Sequence, residues 1–151
     1  MSFSFPVKIV KKSIAVPKQS ERRTALKTTY NILIIEDDEI SILYLQEALQ
    51  NSGAKYAVAR SYIEMQEICN KGFVPDIALI DISLPGENGF ECMKWLKNKF
   101  SGKEIKYIAQ TAHVFTEDSK HYKDAGFDDF IGKPYKQETL IKVLRVSRSL
   151  D

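Results

Sequence analysis

From Tyr30 onward, short apolar runs alternate with longer stretches whose apolar positions recur at helical spacing. NILIIE (31–36) is a buried strand. DEISILYLQEALQNSG (38–53) is an amphipathic helix with Ile42, Leu45 and Leu49 in line and Gly53 as its stop. KYAVAR (55–60) is a strand and SYIEMQEICNKG (61–72) a helix. DIALID (76–81) is a strand, followed by the helix NGFECMKWLKNKFSG (88–102). IKYIAQTA (105–112) is a strand, and TEDSKHYKDAG (116–126) a helix with Thr116 as its N-cap, acids in its first turn and Gly126 as its stop. FDDFIG (127–132) is the last strand and KQETLIKVLRVSRSL (136–150) the last helix. Continuous apolar strands alternating with helices imply a parallel sheet covered on both faces. Right-handed crossovers then point to an α/β, flavodoxin-like doubly wound sheet: five parallel strands in the order 2-1-3-4-5, with five helices.

The first 29 residues do not follow this pattern. In residues 2–10, Phe3, Phe5, Val7 and Ile9 alternate onto one face, as in a strand, and Pro6 restricts it to a sheet edge. Residues 11–29 are polar and without period, as in a linker. The predicted organisation is therefore an arm and linker at 1–29 and one domain at 30–151. Charge divides the same way. The net charge of +2 combines seven basic and one acidic residue in 1–29 with 15 basic and 19 acidic residues in the rest. A basic arm could touch nucleic acid or membrane, but no aromatics are interleaved with its charges, so it reads as a solvated linker and no nucleic acid is expected.

A hydrophobic fraction of 44% supports a real core, and no apolar run approaches about 18 residues, so no membrane span or membrane contact is expected. MSFSFPVKIV lacks the basic start and long apolar stretch of a secretory signal. Cys69 and Cys92 lie outside any C-x-x-C spacing and read as reduced thiols of a cytoplasmic protein. Two histidines, His113 and His121, exclude a His-rich metal site.

Ligands of doubly wound sheets bind beyond the carboxyl ends of the strands. Here the first strand ends in Glu36-Asp37-Asp38, the third in Asp81, the fourth in Thr111-Ala112 and the fifth in Lys133-Pro134. Asp81 is notable because it follows the buried run Ile77-Ala78-Leu79-Ile80 without a polar spacer, where an ionised group is costly. Taken singly, it reads more readily as the start of a turn or a helix cap. Asp38 reads as the cap of the first helix, leaving Glu36 and Asp37 to join Asp81. Carboxylates that converge raise each other's pKa unless a positive group joins them. Mg²⁺ suits such an oxygen-donor set, and Lys133 adds a compact second charge. A metal, a lysine and a hydroxyl around one carboxylate are the requirements for phosphoryl transfer to that carboxylate. His113, at the mouth of this site, is either a base or, on the reading favoured here, a residue that modulates water access. His121 reads as a surface residue.

With these residues in place, 31–148 resembles the receiver domain of two-component response regulators. The resemblance is carried by Glu36-Asp37, by Asp81 in "DISLPGENG", by Thr111-Ala112, by Lys133-Pro134 and by Phe130 three residues before the lysine. It implies that Asp81 is the phosphoacceptor and that Asp37 binds Mg²⁺ directly. Glu36 would act through water, and Ser83 would offer its backbone carbonyl to the metal. Thr111, beside Ala112, would bond the phosphoryl group and Lys133 would pair with it. Phe130 would turn from exposed to buried on activation, with residues 107–131 as the readout surface. The bond before Pro134 would be cis. The phosphoryl donor or acceptor would be a histidine kinase or a histidine phosphotransfer protein.

Rival classes lack their own marks. A dehalogenase-like phosphatase with an Asp nucleophile wants a second Asp two residues on, where this chain has Ser83. A receiver unable to be phosphorylated would lack one of the acids, Thr111 or Lys133. A flavin carrier would need a phosphate-cradling loop where this chain has three acids. The expectation is thus a phosphoacceptor signalling domain, not a multiple-turnover enzyme on an external substrate. SFSFPVKIV also resembles the closing segment of a histidine-kinase ATP-binding domain. That resemblance implies the C-terminal receiver of a hybrid histidine kinase; a stand-alone single-domain regulator is the alternative.

Overall fold

The computed structural model describes residues 30–50, 52–84, 88–112 and 116–146. The expectations for the arm at 1–29, the Pro85-Gly86 turn and His113 lie outside the described residues. The strands are β1 (Asn31–Ile35), β2 (Lys55–Ala59), β3 (Ile77–Asp81), β4 (Lys106–Thr111) and β5 (Asp129–Gly132). The helices are α1 (Glu39–Leu49), α2 (Tyr62–Asn70), α3 (Gly89–Lys99), α4 (Thr116–Ala125) and α5 (Gln137–Val146). All four strand pairings are parallel, in the order β2-β1-β3-β4-β5.

Side chains alternate across each strand, and this divides the core in two. Ile32, Ile34, Ile77, Leu79, Ile108 and Ile131 face Leu45 and Leu49 of α1 and Leu140 and Leu144 of α5. Leu33, Ile35, Ala78, Ile80, Tyr107 and Ala109 face Met65 of α2, Met93 and Leu96 of α3, and Tyr122 of α4. Both faces are covered, which is why β3 is buried at every position.

Helix starts are set by local chemistry. Asp38 accepts from Ser41 N, Ser61 from Glu64 N, and Asn88 from Phe90 N and Glu91 N, each capping a helix whose first N–H groups have no internal partner. Asp38 thus takes the capping place the sequence assigns it. Thr116 is the first helical residue of α4, and the residues just before it lie outside the described residues. Gly89 has a different role. A Cβ there would lie 2.7 Å from the Asp81 carbonyl oxygen and 2.9 Å from Ile80, so α3 can begin this close to the end of β3 only on glycine.

Candidate functional site

Four strand ends meet at one edge of the sheet. Glu36 follows β1 directly; its N–H donates to Ala59 O at 3.0 Å, and its side chain is fully buried. Asp37 is exposed, and Asp38 turns away to cap α1 while its N–H donates to Glu36 Oε2 at 3.2 Å. Asp81 closes β3 at 7% exposure, and its Oδ1 accepts from Ser83 N at 2.9 Å. Beyond β5, Lys133 N–H donates to Thr111 O at 2.8 Å, and the Lys133–Pro134 bond is cis. The lysine side chain returns to the edge, with Nζ 2.9 Å from Glu36 Oε1 and 3.6 Å from Asp81 Oδ2.

Glu36, Asp37 and Asp81 each place one carboxylate oxygen within 4.8 Å of the others. One ammonium among three carboxylates leaves an excess of negative charge. Burial raises the Glu36 pKa; the Lys133 hydrogen bond opposes this, and the Asp81 charge reinforces it. For Lys133, burial disfavours the charge, but the bond to Glu36 and the charges of Asp81 and Glu36 outweigh it and its pKa is raised. A cluster of hard oxygen donors with uncompensated charge fits a small divalent cation.

Thr111 occupies the other side of this edge. It lies one residue out of step with Gln110, the β4 partner of Asp81, and so projects toward α4. There its Oγ1 accepts a hydrogen bond from the Tyr122 hydroxyl at 2.9 Å, both residues being buried. Phe130 is half-buried rather than exposed, its ring centroid 5.8 Å from that of Tyr122. Ala112 is exposed at the rim.

Residues 32–145 match the response regulator receiver domain family. The chain belongs to this family. Among receiver relatives, the polar-differentiation response regulator DivK of Brucella ovis is 29% identical over 117 residues, covering 78% of this chain and 94% of DivK. Hybrid signal transduction histidine kinase L of Dictyostelium discoideum is 30% identical over 132 residues, which are 84% of this chain but 8% of that protein. The receiver domain of a Pseudomonas aeruginosa sensor histidine kinase, solved with a magnesium ion coordinated in its active site cleft, superposes with a TM-score of 0.68. It is 23% identical and covers 79% of this chain and 97% of its own, a likeness of fold. The chain is thus a receiver domain of two-component signalling with five parallel strands in the order 2-1-3-4-5.

Two tyrosines of this receiver escape a reading of motifs. Tyr122 lies on a helix of otherwise polar sequence; one aromatic four residues before the stop at Gly126 is the available signal. Tyr135 donates from its hydroxyl to Gln110 Oε1 at 2.8 Å and accepts from the Tyr44 hydroxyl on its backbone carbonyl at 2.9 Å. It thereby ties α1 to the segment after Pro134. Gln110 Nε2 is buried beside it with no hydrogen-bond partner among the described residues.

Proposed function

We propose that this receiver accepts a phosphoryl group on Asp81 from the phosphohistidine of a kinase or phosphotransfer protein, with Mg²⁺ bound by Asp37, Asp81 and the Ser83 carbonyl and by Glu36 through water. The observation that carries the reading is the convergence of three carboxylates within 4.8 Å, with Lys133 Nζ reaching two of them. In the transfer, an Asp81 carboxylate oxygen forms a bond to phosphorus as the bond from phosphorus to the imidazole nitrogen breaks. The metal would neutralise charge on the phosphoryl oxygens. Lys133 pairs with the same oxygens, moving from Glu36 toward the new anion. Thr111 donates its hydroxyl to them, and Phe130 follows it inward, changing the surface of β4, α4 and β5. Ser83 N, already on Asp81 Oδ1, keeps the carboxylate oriented. Ile40 and Leu43 of α1 are 76% and 61% exposed next to the acid pair, which suits an apolar helical partner carrying the histidine.

Intact mass after incubation with Mg²⁺ and acetyl phosphate tests this. One added phosphoryl group is expected, and none in Asp81→Asn. An equal gain in the variant would move the acceptor elsewhere.

For the parent protein we infer a hybrid histidine kinase that carries this receiver, acting in the cytoplasm. The support is SFSFPVKIV, with its resemblance to the end of a kinase ATP-binding domain, together with the likeness to hybrid kinase L. The stand-alone reading has its own support in the match to nearly the whole of DivK. Genomic sequence upstream of Met1 decides: ATP-binding motifs in frame favour the kinase, and their absence favours the single-domain regulator.

A further inference from the structure

The Tyr122–Thr111 hydrogen bond has no role in binding metal or accepting phosphate, yet the phenol donates to the Thr111 oxygen and so holds on the α4 side the side chain whose O–H the phosphoryl group needs. Tyr122 is 6% exposed and Thr111 4%. The phenol ring is enclosed by Phe90, Phe127, Phe130 and His121, at centroid distances of 6.3, 6.5, 5.8 and 5.8 Å. Around it α4 reads TEDSKHYKDA, polar at nearly every other position, and Lys120, His121, Lys123 and Asp124 are exposed. Tyr122 is therefore the anchor of α4 on the sheet among its described side chains, and the polar end of that anchor is fastened to Thr111. If Thr111 turns toward a phosphoryl group on Asp81, the phenol, 6% exposed, loses that acceptor. A buried hydroxyl without a partner is unfavourable, so α4 must shift to satisfy it.

We propose that Tyr122 is a positioning residue that holds the Thr111 hydroxyl on the α4 side in the unphosphorylated receiver, and that the phenol, which donates to its oxygen, and the phosphoryl group, which takes its O–H, call for different orientations of that side chain. This rests on the assignment of Asp81 and Thr111 made above. Phosphorylation and the attachment of α4 are then opposed by linkage: whatever strengthens one weakens the other. Tyr122 carries the signal from the site to α4, and Phe130, packed on the same ring, moves with it.

The test uses the full chain with beryllofluoride and Mg²⁺ as the phosphoryl mimic. Tyr122→Phe keeps the ring and removes the competing hydroxyl. Its beryllofluoride affinity, by calorimetric titration, is expected to rise about three- to tenfold, the scale of one net hydrogen bond. In a Thr111→Val background the same substitution is expected to leave that affinity unchanged. Amide exchange across α4, which beryllofluoride should speed in the wild type, should already be fast in Tyr122→Phe and respond little. Without metal or mimic, a stability cycle between the two substitutions should show coupling. Thr111→Val that binds beryllofluoride as well as the wild type would overturn the assignment of Thr111 and the latch with it. Weakened binding in Thr111→Val, with no tightening in Tyr122→Phe or no coupling in the cycle, would overturn the latch alone.

Discussion

The two sides of the sheet edge at the end of β4 are made of opposite materials. Toward α1 and α5 stand Glu36, Asp37, Asp81 and Lys133, three carboxylates and an ammonium within a few ångströms. Toward α3 and α4 stand Thr111, Tyr122, Phe90, Phe127 and Phe130, neutral and mostly buried. Charges on the first side act through long-range attraction and need a cation to be at rest. Groups on the second act through contact and through one hydrogen bond. On the proposed function the contrast would separate two tasks: the ionic side would perform the chemistry, and the aromatic side would rearrange in response to it. Strand alternation delivers both from adjacent positions, since Gln110 faces one way and Thr111 the other.

The sharpest break of this contrast removes a metal ligand. Asp37→Ala is expected to abolish Mg²⁺ binding in calorimetry while leaving the fold intact, because Asp37 is exposed and contributes no packing. Full retention of binding would show that the carboxylate cluster is not the cation site.

Next comes Lys133→Met, which leaves Glu36 buried without its partner. Breaking a buried pair in this way costs about 3 kcal/mol at neutral pH. The pH dependence has a definite sign. Glu36 titrates above its ordinary 4.5 in the folded state, so it binds its proton more tightly there than in the unfolded chain. Its favourable contribution is therefore present below about 4.5 and lost as pH rises through the raised value. Without Lys133 that value climbs further. The variant should accordingly differ most from the wild type near neutrality and least in acid, as measured by urea unfolding. A deficit of equal size at both ends would mean that the lysine acts through packing of its stem.

Glu36, Asp81 and Lys133 each follow an apolar run, with Asp37 beside Glu36; taken singly each fits a turn or a cap, and they are legible as a site because all collect at the carboxyl ends of the strands. Glu36, Asp37, Asp81 and Lys133 stand together as that argument implies. The five strands and their order were legible for a related reason: apolar runs, glycine stops and crossover handedness leave few alternatives. Tyr122 was not legible, since an aromatic on a polar helix announces burial but not what its hydroxyl will meet. Phe130 was expected to be exposed at rest, yet the Tyr122 ring gives it a surface to pack on and it is half-buried.

Gly89 connects the two sides, since α3 begins against the Asp81 carbonyl and carries Phe90 into the aromatic group. Gly89→Ala would press a methyl to 2.7 Å from that oxygen, against backbone that cannot yield cheaply. A loss of about 2 kcal/mol is expected. Slower phosphorylation by acetyl phosphate should accompany it, because Asp81 must move. Normal stability with normal phosphorylation would show that α3 can shift freely, and that the close approach does not hold the two sides together.

The smallest effect lies on the α2–α3–α4 face at alkaline pH. Burial pushes the Cys69 thiol from 9.0 up to about 11 and the Tyr107 phenol from 10.0 up to about 12. Both groups hold their protons more tightly in the folded state. Their contribution is complete below the unfolded values and is lost as pH rises through the folded ones, beginning near 9 with Cys69. Between about pH 8 and pH 9.5 the Cys69 share of this loss is roughly 1 kcal/mol or less. Lys133 adds a loss of the same sign, but only above its ordinary 10.5, so the lower part of the window isolates the thiol. Cys69→Ala carries a constant packing deficit and no titration there. The gap between wild type and variant should therefore narrow as pH rises through this range, in denaturant unfolding at fixed salt. A gap that stays constant would mean that the unfolded chain does not expose Cys69, and that residual structure survives on this face when the rest of the receiver has come apart.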